Sequence, residues 1–158
     1  VAKLFNKDVL IEVDEAEVLK NAPAIREKLS DRAFLRAIHF YEENKRVKNE
    51  VAALNAGDID AFLKTVNESG SSSYKYLQNV YTNHDVEHQN VSVALMLREL
   101  YLKENGVARV HGGGFAGTVQ AFVKNDAVKD YKNKMDSVFG NGACNVLKIR
   151  KYGGIKVL

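Results

Sequence analysis

This chain of 158 residues has one cysteine, a small net charge and no long apolar run. The single cysteine, Cys144, excludes a disulfide within the chain, which fits a reducing compartment such as the cytoplasm. No apolar run approaches the roughly 20 residues that a membrane-spanning helix requires, and no signal peptide is visible. We therefore expect a cytoplasmic protein without a membrane partner.

The net charge is small, because 23 Lys and Arg residues are balanced by 20 Asp and Glu residues, leaving a formal charge of +3. The charges are mixed along the chain, whereas nucleic-acid-binding proteins usually present a clustered basic surface. Nucleic acid is therefore not an expected partner. His84 and His88 have a spacing that could bind a metal, but no further ligand accompanies them. No metal site is predicted.

The size of the chain suits one globular domain. Hydrophobic residues make up 46% of it and charged residues 27%, which is ordinary for a soluble fold. The chain opens at Val1 without a methionine and runs almost at once into an apparent structured segment. We therefore interpret residues 1–158 as one domain taken from a longer protein.

Apolar periodicity and capping residues predict helices over most of the first 105 residues. The predicted ranges are about 14–29 with an interruption at Pro23, 32–56 behind a cap at Ser30 or Asp31, a helix that follows Asp58, and 83–105. The helix after Asp58 is expected to bend or break at residues 67–73, because short polar side chains there compete for backbone hydrogen bonds.

Strands are expected mainly late in the chain. Alternating apolar residues predict strands at 107–111 and 118–124, a third at 144–150 and a fourth at 155–158, with a helix capped by Asp126 in between. Residues 9–13 are a candidate for an additional strand. This order predicts an α+β fold, with helices packed on one face of a small, mainly antiparallel sheet.

The most informative segment is a glycine-rich loop between the first two predicted strands. Four of the six residues from Gly112 to Gly117 are glycine. Consecutive glycines leave backbone N–H groups accessible and permit positive φ angles, and a turn of successive N–H groups attracts anions. The segment is therefore either a cradle for phosphate or developing negative charge, or a plain hairpin turn.

Arg109 and His111 are two residues apart on the strand that enters this loop, so both side chains are expected to point the same way. Arg109 would either pair with a carboxylate inside the protein or contact a phosphate directly.

The run Arg109-Val110-His111-Gly112-Gly113-Gly114-Phe115-Ala116-Gly117 resembles the third signature motif of the galactokinases, members of the GHMP superfamily of small-molecule kinases. Residues 32–40 and 43–47 resemble the long helix of that family, and residues 67–73 its serine-bearing segment. The resemblance covers nearly the whole chain and implies the ferredoxin-like C-terminal domain of a GHMP-type sugar kinase. Many galactokinases carry threonine where His111 stands and glycine where Ala116 stands.

The resemblance implies ATP-dependent phosphorylation of galactose at its anomeric hydroxyl, with ATP and Mg as cofactors of the full-length protein. The family's phosphate loop and catalytic residues lie in the N-terminal half. No catalytic residue is therefore expected within residues 1–158, and neither activity nor a bound cofactor in this part alone.

The predicted site consists of residues that would shape the phosphate and substrate side of the cleft: Arg109, His111, Gly112, Gly113, Gly114, Phe115, Ala116 and Gly117. Ser69 and Ser72 are secondary candidates for contact with the substrate or the loop; alternatively, their hydroxyls cap a break in the helix. Two other functions stay open. One is a kinase for a related sugar such as N-acetylgalactosamine, and the other is a catalytically silent sensor or interaction protein.

Overall fold

The computed structural model describes residues 1–115, 117–149, 152–153 and 156. Within these residues the α-helices are α1 (Glu15–Lys20), α2 (Ala22–Lys28), α3 (Asp31–Ala56), α4 (Ile59–Ser72), α5 (Asn90–Leu102) and α6 (Val128–Phe139), and the strands are β1 (Gly106–Val110) and β2 (Val119–Val123). The two strands pair antiparallel. The α+β class is confirmed. Most of the predicted fourth strand lies outside the described residues.

Short polar side chains start the helices at the predicted places. The side-chain oxygens of Asp14, Ser30 and Asp58 accept hydrogen bonds from the backbone of the first turns of α1, α3 and α4, at 2.7, 3.0 and 2.9 Å. Such caps satisfy N–H groups that have no partner within a helix. Gly57 ends α3 in the left-handed conformation that glycine favours, with φ 71°. The helical ends are thus set by local chemistry.

Two expected strands are wrong. Residues 10–12 of the first form a 3₁₀ turn, and the Tyr41 hydroxyl donates to the carbonyls of Leu10 and Val13 at 2.9 and 2.8 Å. This part of the backbone is therefore held by a side chain of α3 and not by a neighbouring strand. Residues 144–149 of the predicted third strand are irregular. The Cys144 N–H donates to a carboxylate oxygen of Asp136 at 2.8 Å, where a strand would bond to backbone.

Three helical predictions also need correction. The helix expected from residue 83 begins only at Asn90, because Asp85 caps a separate turn through the N–H groups of residues 87 and 88. The N-cap of α6 is Ala127 and not the predicted Asp126. Finally, α4 does not break at the serines but runs through Ser72 into a π-helical turn, Ser73–Leu77.

Helices pack on both faces of the two-stranded sheet, whereas the sequence predicted helices on one face only. On one side, Phe62 of α4 meets Phe122 of β2 edge to face, with 5.3 Å between ring centroids. On the other, alternate residues of β2 pack against a buried cluster from α5 and α6, formed by Ala94, Leu102, Tyr131 and Met135. A separate cluster packs α1 and α2 against the first half of α3. No helix in the described ranges is long and apolar enough to cross a bilayer.

We predict that Leu102→Ala lowers the free energy of unfolding by about 2–5 kcal/mol, because it leaves a cavity in the α5–α6 cluster. The Leu102 side chain is 1% exposed, whereas Leu100, two residues earlier on the same helix, is 61% exposed. Leu100→Ala is therefore the matched control and should change stability by no more than about 0.5 kcal/mol. Urea unfolding of both variants makes the comparison, and equal losses would contradict the position of the core.

Candidate functional site: the glycine loop and its support

The glycine-rich loop closes the β1–β2 hairpin. The His111 N–H donates to the Thr118 carbonyl at 3.0 Å, so the ladder extends one step beyond the Val110–Val119 pair. Between these residues the backbone adopts positive φ at Gly112, Gly114, Phe115 and Gly117, with angles of 64, 75, 56 and 80°. Three of these are glycine, which adopts such angles without steric cost. Ala116 lies outside the described residues.

The loop is attached to the body of the protein at Asn79. The Phe115 N–H donates to the Asn79 carbonyl at 2.9 Å. Gly114 lies so close to Asn79 that an added Cβ would come within 2.1 Å of that same carbonyl oxygen. Only glycine fits at residue 114, because both the backbone angle and the available space exclude a side chain.

Asn79 is in turn fixed by the helical segment before it. Arg36 and Arg32 of α3 donate to the carbonyls of Leu77 and Gln78 at 3.0 and 3.2 Å. Asn79 is 2% exposed, and neither polar atom of its side chain has a hydrogen-bond partner in the described part of the chain. No pattern in the sequence indicates a role for Asn79, because its contact with the loop depends entirely on the tertiary structure.

The outer part of the loop is open. Gly112, Gly113 and Gly117 are exposed, and an added Cβ at any of them would meet no atom within 4 Å. His111 and Phe115 are exposed as well. The described residues of the loop thus form a ribbon that is hydrogen-bonded to the body of the protein at Asn79 and exposed at Gly112, Gly113 and Gly117.

Arg109 points to an interior carboxylate. Its Nη1 lies 3.1 Å from Oε1 of Glu43 on α3, which confirms the expectation of a carboxylate partner. Glu43 also accepts hydrogen bonds from Arg46 at 2.8 Å and from Ser69 of α4. This cluster, Glu43 with Arg46, Ser69 and Arg109, joins α3, α4 and β1. Glu43 was missed in the sequence because it lies in a charged run typical of a solvated helix face.

The two secondary candidates, Ser69 and Ser72, are buried between α3 and α4. Ser69 bonds to Glu43, and the Ser72 hydroxyl lies 2.9 Å from Nδ1 of His39. Their hydroxyls therefore bond to side chains of α3 and do not cap a broken helix, which explains why α4 continues through the serine-rich stretch. The structure brings Ser69 into the Arg109 cluster but gives neither serine a hydrogen bond to the described residues of the loop.

Burial and neighbouring charge shift the pKa values of two groups here. Burial tends to raise the pKa of the Glu43 carboxyl, but hydrogen bonds from Ser69 and Arg46 and the charge of Arg109 hold it below its usual value. Burial lowers the pKa of His39, although Glu43 opposes this shift. Glu43 is therefore a carboxylate and His39 a neutral ring near pH 7.

Comparison with known proteins finds similarity to galactokinases. No protein-family model matches the chain. The galactokinase of Staphylococcus carnosus is 34% identical over 84% of this chain and 31% of its own length, and that of Glaesserella parasuis 27% identical over 81% and 31%. The galactokinase of Ligilactobacillus salivarius is 32% identical over 66% of this chain and 25% of its own length.

The chain is thus similar to proteins named galactokinase over about four fifths of its length. It spans about 31% of the length of the first two of these relatives. Neither this similarity nor the structure assigns a role to individual residues, so the functions of Arg109, His111 and the loop 112–117 remain predictions. No group of three or more His, Cys, Asp or Glu that could hold a metal occurs among the described residues.

We predict that Gly114→Ala frees the loop from Asn79. The added Cβ cannot coexist with the Asn79 carbonyl, so the Phe115 N–H should lose its acceptor and exchange its hydrogen faster. Gly113→Ala is the control, because a Cβ there meets open space. Amide hydrogen exchange measured by NMR gives the protection of the Phe115 N–H in both variants. Unchanged protection of Phe115 in Gly114→Ala would contradict the described seat of the loop.

A second prediction concerns the Glu43 cluster and pH. Because the folded-state pKa of Glu43 is depressed, its carboxylate stabilises the fold above the unfolded pKa of about 4.3, and this contribution is lost as pH falls through the folded value. Glu43→Gln should therefore be destabilising near pH 7, with a deficit that shrinks as the pH is lowered towards 3. Urea unfolding across this range measures the difference.

The control for Glu43→Gln is Glu68→Gln, which changes an exposed residue of α4. It should leave the stability profile close to that of the unmodified chain. A deficit for Glu43→Gln that stays constant from pH 7 to pH 3 would show that the cluster does not depend on the carboxylate charge.

Proposed function

We propose that this chain is the C-terminal part of a galactokinase, which transfers a phosphoryl group from ATP to the anomeric hydroxyl of galactose. The observation that carries the proposal is similarity to proteins named galactokinase over more than four fifths of this chain. The exposed glycine loop of the β1–β2 hairpin supports the proposal too, because its backbone can bind a phosphoryl group. We further propose that the protein acts in the cytoplasm.

The loop supports this function through its backbone. Phosphoryl transfer depends mainly on positioning the reactants and on stabilising charge on the phosphoryl oxygens. Gly112, Gly113 and Gly117 are exposed, and no atom lies within 4 Å of the place where a Cβ would stand, so phosphate or the sugar can approach their backbone closely. The Asn79 anchor holds the loop in place while leaving this outer face free.

We propose different roles for Arg109 and His111, which precede the loop. Arg109 is held by Glu43, so we assign it the positioning of β1 and not direct binding of phosphate. His111 is exposed at the base of the loop and can reach a ligand there. ATP supplies the transferred group when bound, and we propose that the rest of the kinase provides the Mg ligands and the catalytic residues.

The decisive experiment restores the remainder of the kinase. This chain would replace the matching segment of the Staphylococcus carnosus galactokinase, and galactose-dependent ADP formation would be measured. We expect turnover by the chimera and none by the 158-residue chain alone. Gly114→Ala within the chimera should reduce turnover at least tenfold, because the loop leaves its seat.

The control variant in this assay is Gly57→Ala. It carries a comparable backbone cost, since Gly57 has φ 71°, but it lies at the end of α3 outside the loop. It should retain turnover. A folded chimera that binds ATP but phosphorylates no sugar would contradict the proposed kinase activity. Preference for N-acetylgalactosamine would contradict galactose as the proposed substrate. Turnover by the isolated chain would show that it carries its own catalytic residues.

A further inference from the structure

A second concave site lies away from the glycine loop, between α4 and α5. The two helices each pack on β1 and leave a groove of about 320 Å³ between them. Gly70 of α4 and Ala108 of β1 form its floor, where Gly70 permits close approach, since a Cβ there would lie 3.1 Å from the Ala108 carbonyl oxygen. No residue of the loop 112–117 that the structure describes lines this groove.

The groove contains a buried arginine, Arg98, that forms no direct ion pair among the described residues, although the Glu99 carboxylate is near enough to act on its charge. Arg98 of α5 is 8% exposed, and its Nη2 donates to the side-chain oxygen of Asn67 and to the Gly106 carbonyl, both at 3.0 Å. Its Nε has no hydrogen-bond partner, and no carboxylate lies within ion-pair distance of its guanidinium among the described residues. A buried charge is normally paired, because removing an ion from water without a partner is strongly unfavourable.

A second unpartnered donor lines the same groove. The hydroxyl of Ser92, also on α5, is buried and has no hydrogen-bond partner in the described ranges. Rotation about its Cα–Cβ bond can turn this hydroxyl towards the groove. Lys75 adds a positive charge at the rim and Glu99 a negative one, so the lining carries an excess of positive charge.

We propose that this groove binds a small oxyanion, the phosphate or carboxylate group of a metabolite, with Arg98 as its counter-ion and Ser92 as a further donor. The oxyanion would take a charge-assisted hydrogen bond from the guanidinium. Tyr74, Leu95 and Met96 line the groove too and provide apolar contact for the rest of the molecule. The site is separate from sugar phosphorylation and does not depend on the proposed function.

The test uses the full chain, labelled with ¹⁵N and titrated with sodium phosphate or sodium acetate at constant ionic strength. We expect saturable shifts of the Arg98 Nε–H resonance and of backbone signals around Ser92. Sodium chloride at the same ionic strength should cause no such saturation. The stronger of the two oxyanions identifies whether the natural ligand carries phosphate or carboxylate.

Glu99→Gln gives a test that does not depend on damaging the site. Removing the only carboxylate among the described lining residues should tighten oxyanion binding severalfold, because a repelling charge is lost. Glu27→Gln, an exposed change on α2, is the matched control and should leave the affinity unchanged. Ser92→Ala and Lys75→Gln should each weaken binding severalfold while preserving the fold.

Arg98→Lys should weaken binding at least tenfold, with circular dichroism checking that the fold survives. Equal shifts with chloride, or no saturable shift with either oxyanion, would overturn the proposal. So would an affinity that Glu99→Gln, Ser92→Ala and Lys75→Gln all leave unchanged, since binding would then be unrelated to this groove. These readouts require no kinase activity, so loss of the galactokinase proposal would not affect them.

Discussion

The carboxylate of Glu43 is the interaction on which the arrangement of this domain depends. It lies where α3, α4 and β1 meet, and it receives Arg46 from its own helix, Ser69 from α4 and Arg109 from β1. A half-buried carboxylate is stable in such a place only when donors surround it. The carboxylate thereby fixes the positions of three elements that are distant in sequence, namely α3, α4 and β1.

The position of β1 relative to α3 and α4 decides where the glycine loop lies. Arg109 sits two residues before His111, at which the hairpin begins to turn, so holding Arg109 places the start of the loop. The Asn79 carbonyl holds its far side through Phe115, and Arg32 and Arg36 of α3 hold the segment before Asn79. Glu43, Arg32 and Arg36 all lie on α3. Both sides of the loop are therefore positioned by contacts with this helix.

The same architecture separates two kinds of polar surface. At the hairpin end, backbone N–H groups face open space and carry no formal charge. Between α4 and α5, the groove is lined by Arg98 and Ser92, and the Arg98 Nε and the Ser92 hydroxyl are buried without hydrogen-bond partners among the described residues. In the Glu43 cluster, Arg46 and Arg109 have a carboxylate partner, whereas Arg98 hydrogen-bonds only to neutral acceptors among the described residues. This difference is the basis on which we propose an anion for the groove.

Local chemistry made much of the fold predictable from sequence. Asp14, Ser30 and Asp58 cap their helices as expected, Gly57 ends α3, and the alternation of apolar residues located both strands of the hairpin within one residue. The position of the glycine loop and the resemblance to galactokinases were likewise readable, because glycines and short motifs are features of adjacent residues. Each of these signals acts over a few positions of the chain.

Tertiary structure decided the remainder. Ser69 and Ser72 look like helix-breaking residues in sequence, yet they bond to Glu43 and His39, 26 and 33 positions earlier, and the helix continues. Tyr41 occupies the carbonyls of a segment that resembles a strand, and Asn79 sets the seat of a loop 35 residues away. A sequence states which groups can donate and accept, but only the folded chain brings distant groups within hydrogen-bond distance and so determines which pairs form.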